Sequence, residues 1–157
     1  MTKRIDCQKK GELGEKAVFD EFLKDGIKLT EPGIKIKSNK NETQKEMDIR
    51  WNKQYKLKIE KYGTDSYEAD FEVPNKKILI EVKTHKEKVK IDEIERDSFT
   101  DSIKKRGFKV FVIQPILKEE QVIDFKCFEF LGKGIPRKKI SLNEIKKLSK
   151  GKKYWKR

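Results

Sequence analysis

Residues 67–83 constrain what this chain can fold into more than any other stretch. Two β-prone runs, one ending at Val73 and one starting at Ile78, flank Pro74-Asn75-Lys76-Lys77, with proline where a type I turn favours it. The pattern predicts a β-hairpin. If Val73 pairs with Ile78, Asp70 falls opposite Glu81 and Glu68 opposite Lys83. Paired residues share a face of the sheet, as do residues two apart on one strand. The hairpin therefore gathers carboxylates and a lysine on one side.

Like charges directly opposite across a ladder destabilise it by about 0.2–1 kcal/mol per pair. A divalent cation between them reverses the sign, and one or two carboxylates completed by water and phosphate suit Mg²⁺. A solvated face on an ordinary hairpin has the same residue types in a chain that is 43% charged.

The charge balance narrows the partners. Forty Lys and Arg against 27 Asp and Glu give a formal net charge of +13, which favours a polyanion, nucleic acid before an anionic membrane. At this length one domain over residues 1–157 is expected. There is no apolar run long enough to span a bilayer, and residues 1–10 are too polar for a signal peptide, so a cytoplasmic location is expected. Cys7 and Cys127 lie far apart, without metal-type spacing, and read as reduced thiols of an intracellular protein. His85 is the only histidine, which removes His-based zinc sites and Ser-His or Cys-His triads. Chemistry here must run on carboxylates, lysines and a metal.

Elsewhere the chain alternates between helical and extended patterns. Residues 11–24 read as a helix closed before Gly26, with Val18, Phe19 and Phe22 on one face. Glu15 falls in the middle of that face and Glu12 at its edge. An inward carboxylate is rarely idle, because burying an unpaired charge is costly. An acid in the first turn, favoured by the helix dipole, is the plainer account. Residues 34–37, 47–51 and 55–59 alternate like short strands, separated by a polar loop at 38–45. Residues 91–106 read as a helix closed by Gly107, and 108–113 as a strong strand. After the hairpin this order implies a right-handed crossover to a parallel neighbour. Residues 121–130 read as a further strand, whose aromatic and apolar residues could serve a subunit interface. Residues 141–150 read as a helix with Ser141 as N-cap and Glu144 completing a capping box.

Asp70, followed by Glu81-Val82-Lys83 at the end of the apolar run Ile78-Leu79-Ile80, resembles the PD-(D/E)xK nuclease superfamily, with Ala69-Asp70 where that pattern has Pro-Asp. Gly11-Glu12-Leu13-Gly14-Glu15-Lys16 is similar to the first helix of archaeal Holliday-junction resolvases. The hairpin also resembles the active-site hairpin of phage-type junction-resolving endonucleases. Two other Asp/Glu-x-Lys triplets occur. Glu144-Ile145-Lys146 lies on an expected helix, and Asp124-Phe125-Lys126 has no carboxylate opposite it. Asp48 competes with Asp70 for the aspartate position.

The resemblance implies an α/β restriction-endonuclease-like core, a central mixed β-sheet flanked by helices in α-β-β-β-α-β order. It implies Mg²⁺-dependent hydrolysis of a DNA phosphodiester, with Mn²⁺ as substitute ion and no small-molecule cofactor. Asp70 and Glu81 would hold the metal with the Val82 carbonyl, Glu15 would bind it directly or through water, and Lys83 would orient the attacking water. Small size and basic charge favour selectivity for branched or junction DNA over a sequence, and a homodimer would cut two strands symmetrically. A viral or phage DNA-degrading nuclease, or a restriction-type one, shares the core. A non-catalytic basic nucleic-acid-binding protein is the alternative of another class. His85 could touch phosphate. In the basic tail at 151–157, Lys152, Lys153, Lys156 and Arg157 could grip phosphates while Tyr154 and Trp155 stack on unpaired bases.

Overall fold

A computed structural model of the chain describes residues 7–33, 36–38, 40–63, 69–84, 103–132 and 135–150. These residues form an α/β architecture, a five-stranded mixed sheet flanked by helices. Helix α1 is Cys7–Lys24 and α2 is Gln44–Tyr62. Strands β1 (Phe71–Val73), β2 (Ile78–Val82), β3 (Lys109–Lys118), β4 (Gln121–Phe130) and β5 (Lys138–Ile140) lie side by side in chain order, and α3 (Leu142–Lys150) follows. Every neighbouring pair is antiparallel except β2 and β3.

The hairpin has the register that its sequence dictates: Phe71 pairs with Ile80, Glu72 with Leu79 and Val73 with Ile78. Its turn differs from the type I expectation. Asn75, the third residue of the turn that the Lys76 N–H closes onto the Val73 carbonyl, has φ 64°. Proline second and a left-handed residue third make a type II turn, and asparagine tolerates that conformation. The crossover also holds, since β2 and β3 pair in parallel from Ile78–Lys109 to Val82–Ile113. Of the helix expected over residues 91–106, only 103–106 are described; 103–105 are helical, and Gly107 with φ 90° closes the turn.

Strand β3 runs past the expected end at Ile113 to Lys118 and passes through Pro115. Proline is tolerated because β2 ends at Val82, opposite Ile113, so no β2 partner faces Pro115. Strand β4 has the expected bounds, but Cys127 and Phe130 lie in the core and Ile123 is exposed. Strand β5 carried no apolar signal; only Ile140 of its three residues is buried.

The strands expected at 47–51 and 55–59 are instead the single helix α2. Thr43 is its N-cap, and its hydroxyl accepts from the Glu46 N–H while the Glu46 side chain accepts from the Thr43 N–H. Gly63, at φ 77°, ends the helix and donates its N–H to the Ile59 carbonyl. These two caps decide the conformation against the alternation of Met47, Ile49 and Trp51, because a strand leaves both cap motifs unused. The helix turns Met47, Gln54 and Tyr62 inward and leaves Ile49, Trp51 and Tyr55 exposed.

The two faces of the sheet bury different layers. Val73, Ile78, Ile80, Val82, Phe111, Ile113 and Cys127 pack against Val18 and Phe22 of α1 and Ile145 of α3. Leu79, Val110 and Phe130 pack on the other face with Tyr62, Ile103 and Phe108. Glu21 of α1 and Lys146 of α3 lock the first layer through an ion pair of 2.7 Å.

Candidate active site

The site forms at the end of β2, where β1 bends away. Lys83 donates its N–H to Ile113 of β3, so the N–H of Val82, one residue earlier, faces β1. At that point β1 has ended and Asp70 occupies a bend. The Asp70 Oδ2 takes the Val82 N–H at 2.7 Å in place of a ladder carbonyl, while the Asp70 N–H donates to the Ile80 carbonyl. The aspartate is thereby fixed to the backbone inside the Glu81-Val82-Lys83 triplet.

Glu81 alternates with Val82 onto the face that holds Leu79, at the exposed end of the strand. Its side chain is 16% exposed and hydrogen-bonds the Asp70 carboxyl, and Lys83 Nζ lies 3.5 Å from its Oε1. Burial pushes the Glu81 carboxyl up to about 8; the Asp70 charge and their shared hydrogen bond add to the rise, and Lys83 opposes it. Glu81 thus keeps its proton at neutral pH in the absence of a cation.

Glu15 feels the Asp70 charge from the other layer. Val82 and Thr84 alternate onto the α1 side, and α1 passes so close to Thr84 that Gly14 has no room for a side chain. The next residue, Glu15, is half-buried. Its pKa is raised first by burial, then by the Asp70 charge, then by Glu12, which is itself exposed. Among the described residues, the buried Thr84 hydroxyl has no hydrogen-bond partner.

The structure thus brings Asp70, Glu81 and Lys83 together, and the Asp70 charge reaches Glu15. Asp48, the competing aspartate, is exposed on α2 and accepts from Gln44 at 3.0 Å. Glu68, His85, Lys152, Lys153, Tyr154, Trp155, Lys156 and Arg157 lie outside the described residues. Sequence reasoning missed Gly14 and Thr84, whose contact sets where Glu15 stands; a glycine inside an amphipathic helix was the available signal.

Among the described residues, no group of three or more His, Cys, Asp or Glu is gathered tightly enough to form a metal cage. The donor set suits a cation held more openly. Mg²⁺ keeps several waters and is bound by one or two carboxylates plus substrate phosphate. Asp70 and Glu81 supply that pair, and the proton that Glu81 retains beside Asp70 marks the place a cation would take. Among the described residues, no helix is long and apolar enough to cross a membrane. No protein-family model, curated protein or solved structure matches this chain.

Proposed function

We propose that this chain is a Mg²⁺-dependent deoxyribonuclease that works inside the cell. The apposition of Asp70 and Glu81 carries the reading. Burial and the neighbouring Asp70 charge push the Glu81 carboxyl up to about 8 even though Lys83 Nζ lies 3.5 Å away. Such an arrangement costs stability, and perturbed titrating groups of this kind concentrate at functional sites.

Asp70 and Glu81 would hold the ion, with the Val82 carbonyl and Glu15 as further oxygens. When bound, it would polarise the scissile phosphate and lower the pKa of a water. Lys83, at the mouth of the site, would orient that water and offset charge developing on the phosphate. Asp70 is held to the Val82 N–H, so the carboxylates need no reorganisation as DNA arrives. The +13 chain would grip phosphates without reading sequence. One site of this kind cuts one strand, so a twofold homodimer acting on branched DNA is the assembly proposed.

The test is cleavage of supercoiled plasmid, a four-way junction and a matched linear duplex, each with Mg²⁺ and with EDTA. Metal-dependent cleavage supports the nuclease. Binding without cleavage under every condition replaces it with a non-catalytic DNA-binding protein. Light scattering at micromolar concentration reads the assembly, and a strict monomer that cuts linear duplex as fast as junctions removes the resolvase-like part alone.

A further inference from the structure

Helix α2 presents to solvent an aromatic pair that the core does not use. Trp51 and Tyr55 stand one turn apart, so they share a face, and they are 52% and 49% exposed. The helix is fastened elsewhere. Tyr62 sits under the sheet, Gln54 accepts from the Ile36 N–H at 2.8 Å, and Arg50 pairs with Glu42 at 2.9 Å.

Charge on α2 identifies what the pair would meet. Arg50 and Lys61 are neutralised by Glu42 and Glu72. Lys45, Lys53, Lys56 and Lys58 have no ion pair among the described residues. Of the helix's acids, Glu46 serves the capping box, Glu60 is exposed, and Asp48 is the one beside the aromatic pair. A second copy of a +13 chain would set like charge against like. An anionic membrane would need a broad apolar face, yet Asp48 and Asn52 separate exposed Ile49 from Trp51 and Tyr55. Single-stranded DNA satisfies both features, because every base offers a π-face and every phosphate a negative charge.

We propose that exposed Trp51 and Tyr55 of α2 form a stacking platform for unpaired DNA bases, with half-buried Lys58 on the same stripe and Lys45 and Lys56 on its flank taking the phosphates. The inference rests on DNA being the substrate and adds that the substrate carries a single-stranded segment. At 1.5 Å per residue, Tyr55 and Trp51 lie roughly 10 and 16 Å along α2 from Tyr62, the residue anchored in the sheet layer. The platform lies that far along the helix from its anchor on the sheet, and a flap or splayed arm is the single-stranded segment that would occupy it.

The test uses the full chain in EDTA, so cleavage plays no part. Fluorescence anisotropy compares an oligothymidylate of about 20 nucleotides with a duplex of equal length. Trp51→Ala with Tyr55→Ala is expected to weaken single-strand binding about 10- to 100-fold, the scale of losing one or two base stacks, and duplex binding by under about threefold. Trp51→Phe with Tyr55→Phe should retain most of the affinity. With Trp155→Phe removing the other tryptophan, the oligonucleotide should quench Trp51 emission. Equal losses on both DNAs overturn the proposal. So does full retention by Trp51→Leu with Tyr55→Leu, or quenching by anionic phosphatidylserine vesicles but not by the oligonucleotide. A native protein that passes these tests yet cleaves nothing with Mg²⁺ would fail as a nuclease and keep its platform.

Discussion

Gly14 and Thr84 touch so closely that a Cβ built on Gly14 would stand 1.7 Å from the Thr84 hydroxyl oxygen and 2.9 Å from its Cβ. No rotamer change at a flexible tip relieves a clash with both atoms. The contact sets the height of α1 over the end of β2, and with it the distance from Glu15 to Asp70.

Gly14→Ala should therefore push α1 off the sheet. The expected cost is about 1–3 kcal/mol, the range for overpacking, together with a loss of Mg²⁺-dependent cleavage. Gly11→Ala is the control. Its added Cβ would meet only Glu15 Oε2, at 3.9 Å, and alanine in a helix is favoured over glycine by about 0.5–1 kcal/mol. Thermal unfolding of both variants checks the pair, and equal behaviour would remove the close-approach argument.

The proposed catalytic set gives a graded expectation. Asp70→Asn and Glu81→Gln should each abolish metal-dependent cleavage while DNA binding, which rests on distributed lysines, stays nearly intact. Lys83→Ala should cost about 10²–10³ in rate, the scale of one lost electrostatic stabiliser. Glu15→Gln should lose a smaller but substantial part. Asp48→Asn should cleave as the native protein does; if it is inactive while Asp70→Asn is active, the site has been built on the wrong aspartate. Initial rates on one plasmid substrate with saturating Mg²⁺ decide among these.

The hairpin was legible because its turn residues and its alternation specify one register, and a slip by one residue would bury Glu72's neighbours on the wrong face. Glu15 was legible as a carboxylate in the middle of an apolar stripe. Helix α2 was not, because Met47, Ile49 and Trp51 mimic a strand's period while the deciding signals, Thr43 with Glu46 and then Gly63, lie at its ends. The exposed aromatics deepened the error, since a strand reading assigns them to a core. Nor could the sequence announce that Asp70 would stay outside the ladder and take the Val82 N–H, a consequence of β1 beginning only at Phe71.

Tyr62 ties α2 to the hairpin. Its hydroxyl meets the Glu72 carboxylate at 2.5 Å and accepts from the Gly33 N–H at 3.0 Å, while Lys61 pairs with the same glutamate at 2.8 Å. Tyr62→Phe keeps the ring on Phe108 and strips buried Glu72 of one partner. An unsatisfied buried polar group costs about 1–3 kcal/mol, so the urea midpoint should fall with the m-value unchanged. An unaltered midpoint would mean that Lys61 alone satisfies Glu72.

The Asp70–Glu81 pair predicts an unusual pH dependence for the metal-free protein. Glu81 rises from an ordinary 4.5 to about 8 in the fold, so between these values the native state holds a proton that the unfolded chain has released. Stability is then fully present below about 4.5 and is lost as pH climbs through about 8. Glu15 is shifted in the same direction and adds to the slope. Glu81→Gln keeps a neutral hydrogen-bonding group at every pH and should flatten most of the decline. Because a cation must displace the Glu81 proton, Mg²⁺ should bind more tightly as pH rises across the same window. Urea midpoints in EDTA from about pH 5 to about pH 9, with and without the substitution, check the sign. A native midpoint that rises over this interval, or a Gln variant that declines as steeply, would mean that Glu81 does not hold its proton into this range.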